Sequence, residues 1–432
     1  MSKLDKLLRE LCPDGVEYVK LGTLCSLITK QTGFDYTNHI KARLLMEPAE
    51  NAVPYIQTKF FAGKNFNYQT DYYVPMDIVE QFPKITLDEK CILFSIVGAS
   101  IGNVGLFPGE RKCFLGGAIC VAKVLPQYDV DYVYYCVESH NVQHQIRRKT
   151  KGAGQATITV EDIREFEIPL PPIEIQSEIV RILDNFTNLT AELTAELTAR
   201  KTQYGFYREK LLNKTKISAT MTKVADLGKW SGGKTPSMAE KKYWESGTIP
   251  WVSSKDVKQP ILSDTIDHIT NAAVDEASMT VYPAGSVAIV TRSGILRHTF
   301  PVTYIPFETT VNQDIKILVT KEEISSRYVS HALQAYGESI RRTTKKQGGT
   351  VDSLDFQKVL AYKIPVPPID VQNRIVNVLD NFEKICSDLN IGLPAEIEAR
   401  QKQYEYYRDK LLTFAETGNT ILSRAEQSRA EH

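Results

Sequence analysis

The most regular pattern of apolar and polar positions lies between residues 173 and 212. Apolar residues there recur at steps of three and four, the spacing that places them on one face of an α-helix. The stripe comprises Ile179, Ile182, Leu183, Phe186, Leu189, Leu193 and Leu197, and it resumes at Tyr204, Tyr207 and Leu211. Because Pro171 and Pro172 block helix before them, they predict that the helix starts just after them. A helix of about 40 residues would be about 60 Å long, so its stripe needs a partner of similar length.

An internal repeat supplies that partner. Residues 167–186 read EIPLPPIEIQSEIVRILDNF and residues 363–382 read KIPVPPIDVQNRIVNVLDNF, while ARKTQYGFYREKLL (199–212) matches ARQKQYEYYRDKLL (399–412). The second copy carries a matching apolar stripe at Ile375, Leu379, Phe382, Leu389, Ile397, Tyr404 and Leu411. The pattern predicts two long helices that pair as an antiparallel coiled coil within one chain. Its packing contacts are expected at Ile179, Leu183, Phe186, Leu193, Leu197, Ile375, Leu379 and Phe382. In the second helix, Gly392 and Pro394 are expected to cause an interruption or a kink.

The segments beside the helices repeat more faintly. Residues 19–22 (VKLG) echo 225–228 (ADLG), and residues 146–148 echo 340–342. Short apolar runs at 92–97 and 287–290 are typical of strands, so we expect two α/β (α+β) domains of unlike sequence. The expected order is an N-terminal helix packing on the central region (1–14), a first domain (15–166), the first long helix (167–216), a second domain (217–362), the second long helix (363–414) and a flexible tail (415–432).

Composition restricts the class of protein. Lys plus Arg and Asp plus Glu number 52 each, so a nucleic-acid site would have to be local. The seven cysteines form no C-x-x-C pair, which favours free thiols in a reducing cytosol. The N-terminal stretch MSKLDKLLREL is charged and amphipathic, unlike a signal peptide, and no apolar run approaches membrane-spanning length. We therefore expect a cytoplasmic protein without a membrane segment.

Residues 228–235 (GKWSGGKT) fit G-x-x-x-x-G-K-[ST], the phosphate-binding loop of nucleotide hydrolases. That loop has to follow a buried strand and open a helix. The preceding TKVADL has few apolar residues, and Pro236 and a polar segment without an apolar helical stripe come after it. A nucleotide hydrolase therefore stays a minor alternative, and the motif is interpreted as a surface loop whose Lys234 could touch a phosphate.

Four groups of motifs, in this order, resemble one known family. They are LCPDGVEYVKLG (11–22), PLPPIEIQ with its repeat PVPPIDVQ, the helix ends YREKLL and YYRDKLL, and GGKTPS…YW…GTIPWVSSKDV (232–257). Together they resemble the specificity (S) subunits of type I restriction–modification systems over nearly the whole chain. The resemblance implies two target recognition domains that each read half of an asymmetric, bipartite target in double-stranded DNA. It also implies that the two long helices set the spacer and dock two methyltransferase subunits and the restriction subunits.

By the same resemblance the chain catalyses nothing. S-adenosylmethionine would belong to the methyltransferase subunit, ATP and Mg to the restriction subunit, and no cofactor to this chain. The sequence agrees, because the Pro pairs are followed by Ile173 and Ile369 rather than completing the [DNS]-P-P-[YFW] of adenine methyltransferases. The isolated histidines suggest no metal-ligand set, and no acidic cluster resembles a metal site. A coiled-coil scaffold that does not bind DNA is the other alternative.

DNA recognition requires cations for phosphates and polar side chains that reach base edges. In the first domain the candidates are Lys30, Gln31, Gln57, Thr58, Lys59, Ser100, Asn103, Arg147, Arg148, Lys149 and Lys151. In the second they are Lys234, Thr235, Ser253, Ser254, Lys255, Arg292, Ser293, Arg297, His298, Lys345, Lys346 and Gln347. The clusters QIRRKTKGAGQ and SIRRTTKKQGG are interpreted as phosphate-gripping loops, because dense positive charge lies beside glycine. Trp230, Trp244 and Trp251 are expected in the core rather than stacked on bases.

Overall fold

The computed structural model describes residues 2–33, 35–150, 156–214, 219–346, 351–387 and 392–414. The chain divides into two compact units. The first unit comprises Met1–Leu193 with Ile397–His432, and the second comprises Thr194–Glu396. Each unit thus contains one α/β domain together with part of each long helical segment. The tail 415–432 lies outside the described residues.

The first unit has two four-stranded sheets. Their orders are β6-β3-β10-β7 and β2-β11-β8-β9, and β1 pairs with β12 and β4 with β5. The strands are β1 (Tyr18–Lys20), β2 (Cys25–Lys30), β3 (Ala52–Ile56), β4 (Phe61–Ala62), β5 (Asn65–Phe66), β6 (Tyr73–Pro75), β7 (Thr86–Leu87), β8 (Cys91–Ser95), β9 (Val104–Phe107), β10 (Cys113–Leu115), β11 (Ile119–Val124) and β12 (Glu167–Pro169). The helices are α1 (Lys3–Leu11), α2 (Leu21–Leu24), α3 (Tyr36–His39), α4 (Met76–Gln81), α5 (Val130–Glu138), α6 (His140–Lys149) and α7 (Val160–Arg164), followed by the long α8 (Ile173–Lys214).

The second unit repeats this plan with fewer strands. Its sheets have the orders β14-β20-β17-β18 and β16-β15-β19, and β13 pairs with β21. The strands are β13 (Thr220–Lys223), β14 (Gly228–Gly232), β15 (Ile249–Val252), β16 (Asp267–Ile269), β17 (Ser286–Val290), β18 (Val302–Ile305), β19 (Thr310–Val311), β20 (Ile315–Thr320) and β21 (Lys363–Val366). The helices are α9 (Asn271–Glu276), α10 (Ser326–Ala335), α11 (Gly337–Thr344) and α12 (Phe356–Ala361), and the second long segment comprises α13 (Ile369–Ser387) and α14 (Leu393–Leu411).

The apolar runs of the sequence form the innermost strands. All residues of β8 and β17 are buried, which confirms the two predicted strands with ends shifted by one or two residues. All seven cysteines are free thiols, as expected. Among the residues described, no helix combines the length and the apolarity needed to cross a membrane.

The long helices begin where the sequence predicts. α8 and α13 start at Ile173 and Ile369, directly after the two Pro pairs. The predicted interruption is confirmed at Gly392, which is not helical and directly precedes α14; residues 388–391 lie outside the described part of the chain.

Aromatic pairs show how the two helical segments pair within each unit. In the first unit Phe186 stacks on Tyr407 with ring centroids 5.4 Å apart, and in the second Tyr207 stacks on Phe382 at 5.6 Å. The early part of one segment therefore meets the late part of the other, which is antiparallel order. Of the predicted packing residues, the following are buried: Ile179, Leu183, Phe186, Ile375 and Leu379. Leu193, Leu197 and Phe382 are half-buried.

The N-terminal helix α1 packs on the first long helix. The Lys3 ammonium lies 2.7 Å from a carboxylate oxygen of Glu178, and Leu4 is buried in the core of the first unit. A capping box between Ser2 and Asp5 fixes where the helix starts.

Each unit contains an equivalent set of hydrogen bonds between its domain and the start of a long helix, which we call the frame. The Tyr132 hydroxyl donates to the Pro169 carbonyl at 3.0 Å, and the Tyr328 hydroxyl donates to the Pro365 carbonyl at 2.8 Å. Gln176 accepts from the Asp129 N–H at 3.1 Å and donates to the Pro171 carbonyl at 2.8 Å. Its counterpart Gln372 accepts from the Ser325 N–H at 2.9 Å and donates to the Pro367 carbonyl at 2.8 Å. Buried amides with both groups paired fix the start of each long helix against its domain.

The predicted match between residues 19–22 and 225–228 was in the wrong register. The Leu21 N–H donates to the Phe166 carbonyl at 2.7 Å, and the Val224 N–H donates to the Tyr362 carbonyl at 2.8 Å. Leu21 is therefore equivalent to Val224, and not to Leu227 as the match of VKLG with ADLG implied. The short motif misled because strand pairing, rather than a shared Leu-Gly, sets the register.

A buried polar network joins the domain of the second unit to α13. Arg327 Nη2 lies 2.5 Å from Asp380 Oδ1 and 2.6 Å from Glu383 Oε2, and His331 Nε2 lies 2.7 Å from Asp380 Oδ1. The Tyr204 hydroxyl of α8 lies 3.3 Å from His331 Nδ1. Burial acts to raise the pKa of Asp380, but hydrogen bonds from His331 and Arg327 outweigh it and lower the pKa to about 2.

We predict that Asp380→Asn destabilises the chain by about 2 kcal/mol at pH 7, because it removes the charged acceptor that Arg327 and His331 share, although Glu383 still pairs with Arg327. A carboxyl whose pKa is lowered in the folded state contributes stability above about pH 4, and this contribution disappears as the pH falls towards about 2. Urea unfolding at pH 7 and at pH 3 measures both effects. The exposed Asp226→Asn is the matched control. Equal stability of Asp380→Asn and the control at pH 7 would contradict the assignment.

Candidate nucleic-acid interface

In each unit the candidate residues fall into two groups. The strand-end group comprises Lys30, Gln31, Gln57, Thr58 and Lys59 in the first unit, and Lys234, Thr235, Ser253, Ser254 and Lys255 in the second. The helix-end group comprises Ser100, Asn103, Arg147, Arg148 and Lys149 in the first unit, and Arg292, Ser293, Arg297, His298, Lys345 and Lys346 in the second. Lys151 and Gln347 lie outside the described residues.

In the first unit, the strand-end group gathers around the end of β10. Ile56, the last residue of β3, pairs with Leu115 of β10 in a parallel ladder, and Gln57 follows it directly. The Gln31 side-chain amide, just after β2, donates to the Leu115 carbonyl at 2.5 Å. Lys59 forms an exposed ion pair with Asp71. The ends of β2 and β3, which are distant in sequence, therefore present their polar side chains together.

The strand-end group of the second unit has the same arrangement, and it accounts for the conformation of GKWSGGKT (228–235). Its first five residues form β14, which pairs antiparallel with β20, so the prediction of a surface loop was wrong for 228–232. The Lys234 N–H donates to the Val311 carbonyl at 3.0 Å. A Cβ on Gly233 would lie 1.7 Å from that carbonyl oxygen, so glycine is required by the close approach of two strands. In the described stretch 219–346, the next helical turn after Thr235 is a short 3-10 turn at Lys241–Tyr243, which does not match a phosphate-binding loop.

Other members of this group meet at the same strand. Val252, which ends β15, pairs in parallel with Val311, and Ser253 caps the turn after it through Asp256 at 2.8 Å. The Thr235 hydroxyl contacts the Gln313 side chain at 2.5 Å, and the Trp251 indole donates to the Lys234 carbonyl at 3.1 Å. Lys234 and Ser253 are thus held against one strand, β19.

The helix-end group of the second unit surrounds one carboxylate. Arg297 Nε lies 3.0 Å from Asp352 Oδ2, and Lys345 Nζ lies 2.9 Å from Asp352 Oδ1. Backbone contacts hold the loop in place: the Ser293 N–H donates to the Asp352 carbonyl at 3.0 Å, and Arg292 forms a bridge with Ser353. Residues from two distant stretches of sequence thus form one cationic cluster.

The first unit makes the same two backbone contacts at the equivalent loop. The Gly98 N–H donates to the Ala156 carbonyl at 3.0 Å, and Val97 forms a bridge with Thr157. Ser100, which lies in this loop, is held by a 2.6 Å hydrogen bond between its hydroxyl and that of Ser95.

The basic clusters were expected in loops, and this was wrong for the arginines and for Lys149. Arg147, Arg148 and Lys149 form the last turn of α6, and Arg341 and Arg342 the last turn of α11. Positive charge at a helix C-terminus is stabilised by the helix dipole, so the cluster can extend the helix instead of ending it. Within the described residues, Lys345 and Lys346 alone of this second cluster follow the helix end.

One loop connects the two groups of the second unit. The Thr291 N–H and hydroxyl both donate to the Asp314 carbonyl, at 2.8 and 3.0 Å, and the Asp314 N–H donates to the Asn312 side chain at 3.0 Å. Because Thr235 contacts the neighbouring Gln313, the groups lie along one continuous rim of this unit. Gln313 and Asp352 were missed from the sequence. Polar residues directly after an apolar strand, as in TTVNQD, were the available signal for Gln313.

The other aromatic and titratable side chains have structural roles. Trp251 is buried and Trp244 packs edge-on against it at 5.1 Å, while Trp230 packs edge-on against Phe356 at 5.7 Å. His331, Asp380 and Glu383 offer ligand atoms within 4.8 Å of one another, although no ligand set was expected from the sequence. The Arg327 guanidinium already supplies the positive charge there, so this cluster is interpreted as an ion-pair network.

Comparisons with known proteins match the duplicated frame. The family described as "Type I restriction modification DNA specificity domain" matches residues 13–200 and again 218–399. The specificity subunit of the Escherichia coli type I restriction enzyme EcoR124I/EcoR124II is 45% identical over 256 residues, covering 58% of this chain. The match spans 63% of that relative, less than two thirds of its length.

Two solved structures share the fold. The S subunit of a type I restriction–modification system from M. genitalium has a TM-score of 0.51 at 16% identity, over 94% of this chain and 98% of that one. A structure described under complex assembly and conformational transition of the type I R-M system has a TM-score of 0.59 at 15% identity, over 93% and 98%.

If the rim of the second unit contacts DNA phosphates, Lys234→Gln and Arg292→Gln should each weaken duplex binding by the chain assembled with the methyltransferase subunits that the resemblance implies. Each should also reduce the slope of log affinity against log salt by about 0.9, the contribution of one phosphate contact. Fluorescence anisotropy at several salt concentrations measures both. Lys242→Gln is the matched control, because Lys242 pairs with Glu276 outside both groups. Slopes equal to that of the control would exclude these side chains from the interface.

Proposed function

Because the chain belongs to the family of type I restriction–modification DNA specificity proteins, we propose that it selects the DNA sequence on which a type I complex acts. Each unit reads one half of an asymmetric, interrupted target in double-stranded DNA. The observation that carries this proposal is the combination of two like frames with two unlike rims, where the rim of a unit means its strand-end and helix-end groups. Similar frames would place the two units on DNA in a similar way, and different rims would contact different base sequences.

Specific positions support that combination. The frame residues agree between the units, as Tyr132 does with Tyr328 and Gln176 with Gln372. The first residues that follow equivalent strands differ: Gln57 and Thr58 follow β3, whereas Ser253 and Ser254 follow β15, and a lysine comes next in both units (Lys59 and Lys255). A side-chain amide and a hydroxyl present different donors and acceptors to base edges.

The partners we propose are two methyltransferase subunits, with S-adenosylmethionine, and restriction subunits, with ATP and Mg. They would dock on the long helices, and the complex would act in the cytoplasm. Phe206 and Tyr406 support two similar docking places, because they are equivalent in the repeat and are 58% and 55% exposed. Lys210 and Lys410 lie over these rings at 5.3 and 5.5 Å. The chain itself would not be catalytic, so methylation or cleavage of DNA by the purified chain alone would refute this assignment.

Exchanging residues 20–160 for the corresponding domain of another specificity subunit should change one half of the target and leave the other half unchanged. The reason is that the candidate residues of each rim belong to a single unit. Mapping of methylated adenines in cells that carry the hybrid with its partners gives the result. A change in both halves would contradict independent reading.

The repeat TAELTAEL at 190–197 generates a second prediction, because it lies inside α8 and its leucines are only half-buried. A third TAEL unit would lengthen the helix by about 6 Å and rotate the remainder of α8 by roughly 40°. Since B-DNA rises about 3.4 Å per base pair, the spacer should grow by one or two base pairs while both half-sites stay the same. The same mapping decides it, with an Ala195→Ser variant of unchanged length as control. A fully active insertion variant with an unchanged spacer would show that α8 does not set the distance.

A further inference from the structure

One carboxylate lies between two cations of the helix-end group in the second unit. Asp352 accepts from Arg297 Nε at 3.0 Å and lies 2.9 Å from Lys345 Nζ. Its side chain is 18% exposed, whereas those of Arg297 and Lys345 are 67% and 41% exposed. Both cations therefore converge on a single anionic group and remain accessible to a ligand from solvent.

The fold does not require a carboxylate at this position. The backbone of Asp352 accepts a 3.0 Å hydrogen bond from Ser293, and that of Ala156 accepts a 3.0 Å hydrogen bond from Gly98. The bridges next to them, Arg292 with Ser353 and Val97 with Thr157, are equivalent as well. The first unit thus makes the same backbone connection with a methyl side chain. The Asp352 side chain is free to serve another purpose.

The charge of Asp352 is present at neutral pH. The hydrogen bond from Lys345 has the largest effect on the pKa of this carboxyl, and together with the hydrogen bond from Arg297 it outweighs desolvation and lowers the pKa below its usual range. The ionised group offsets one positive charge of a rim that also carries Arg292 and Lys346.

We propose that Asp352 occupies, in the free chain, the place that a DNA phosphate takes between Arg297 and Lys345, and thereby restrains binding to non-target DNA. The proposal rests on the proposed function. A phosphate oxygen accepts hydrogen bonds from Arg and Lys at about the distances seen here. Because Asp352 already orders both side chains, exchanging one anion for the other involves little further loss of side-chain freedom.

The restraint should weaken target and non-target binding by the same factor but affect their occupancy unequally. Non-specific binding comes almost entirely from phosphate contacts, so a phosphate that competes with Asp352 gains little on a non-target duplex. On the target, base contacts made by the same rim add binding energy that compensates for displacing the carboxylate. At a protein concentration between the two dissociation constants, Asp352 would therefore reduce the occupancy of non-target DNA while the target stays bound.

The test compares Asp352→Asn and Asp352→Ala with the unchanged chain, each assembled with its methyltransferase subunits. Non-target duplex should bind about 1.5-fold to fivefold more tightly to both variants at low salt, the range for one exposed charge pair, and with a steeper salt dependence. Target affinity should rise by a similar factor, so non-target DNA should become occupied at lower protein concentrations. Asp352→Ala is expected to fold because alanine occupies the equivalent position, Ala156.

Two controls separate this effect from a general change of charge. Glu276→Gln removes a carboxylate that pairs with Lys242 in the same unit, and it should leave non-target binding unchanged. Adding Arg297→Gln to Asp352→Asn should abolish the gain. Equal or weaker non-target binding by Asp352→Asn, in a complex whose unchanged form still prefers its target, would overturn the inference alone. An unchanged complex that binds no duplex would overturn the proposed function as well.

Discussion

Burial of the apolar stripe on two long helices is the constraint on which the rest of this structure depends. The 42 residues of α8 form a helix of about 63 Å, too long for one globular core to cover. Each unit covers its own part: Phe186 stacks on Tyr407 in the first, and Tyr207 on Phe382 in the second. Each such pair contributes about 0.5–1.5 kcal/mol beyond the burial of apolar surface. Antiparallel pairing of two similar helices is what allows two similar units.

The residues that stabilise each unit are different from those proposed to recognise DNA. Hydrogen bonds at Gln176 and Gln372 attach each domain to the start of a long helix, where substitution would leave buried polar groups unpaired. Most side chains of the rims, at strand ends and helix ends, are exposed or half-buried. Substitutions there would therefore leave few buried polar groups unpaired. Residues there can change without loss of the fold.

Much of the fold could be predicted from the sequence where the signal was local and strongly periodic. The Pro pairs, the stripe of α8 and the run SVAIV of β17 indicated helix starts and a buried strand, and Gly392 indicated the interruption. Features that depend on contacts between distant segments could not be predicted in this way. The glycines of GKWSGGKT resembled a phosphate-binding loop, but Gly233 is needed because Val311 lies against it. Most candidate residues were found by their chemistry, whereas their grouping required the strand pairing, and Asp352 was recognisable only from the position of Arg297 and Lys345.

The central claim is that two unlike rims on two like frames read two unlike half-sites. Mapping of methylated adenines in a genome that carries the unchanged chain with its partner subunits tests it most directly. The account predicts methylation at one interrupted sequence with two different specific halves and a spacer of fixed length. A continuous or a palindromic target would contradict it.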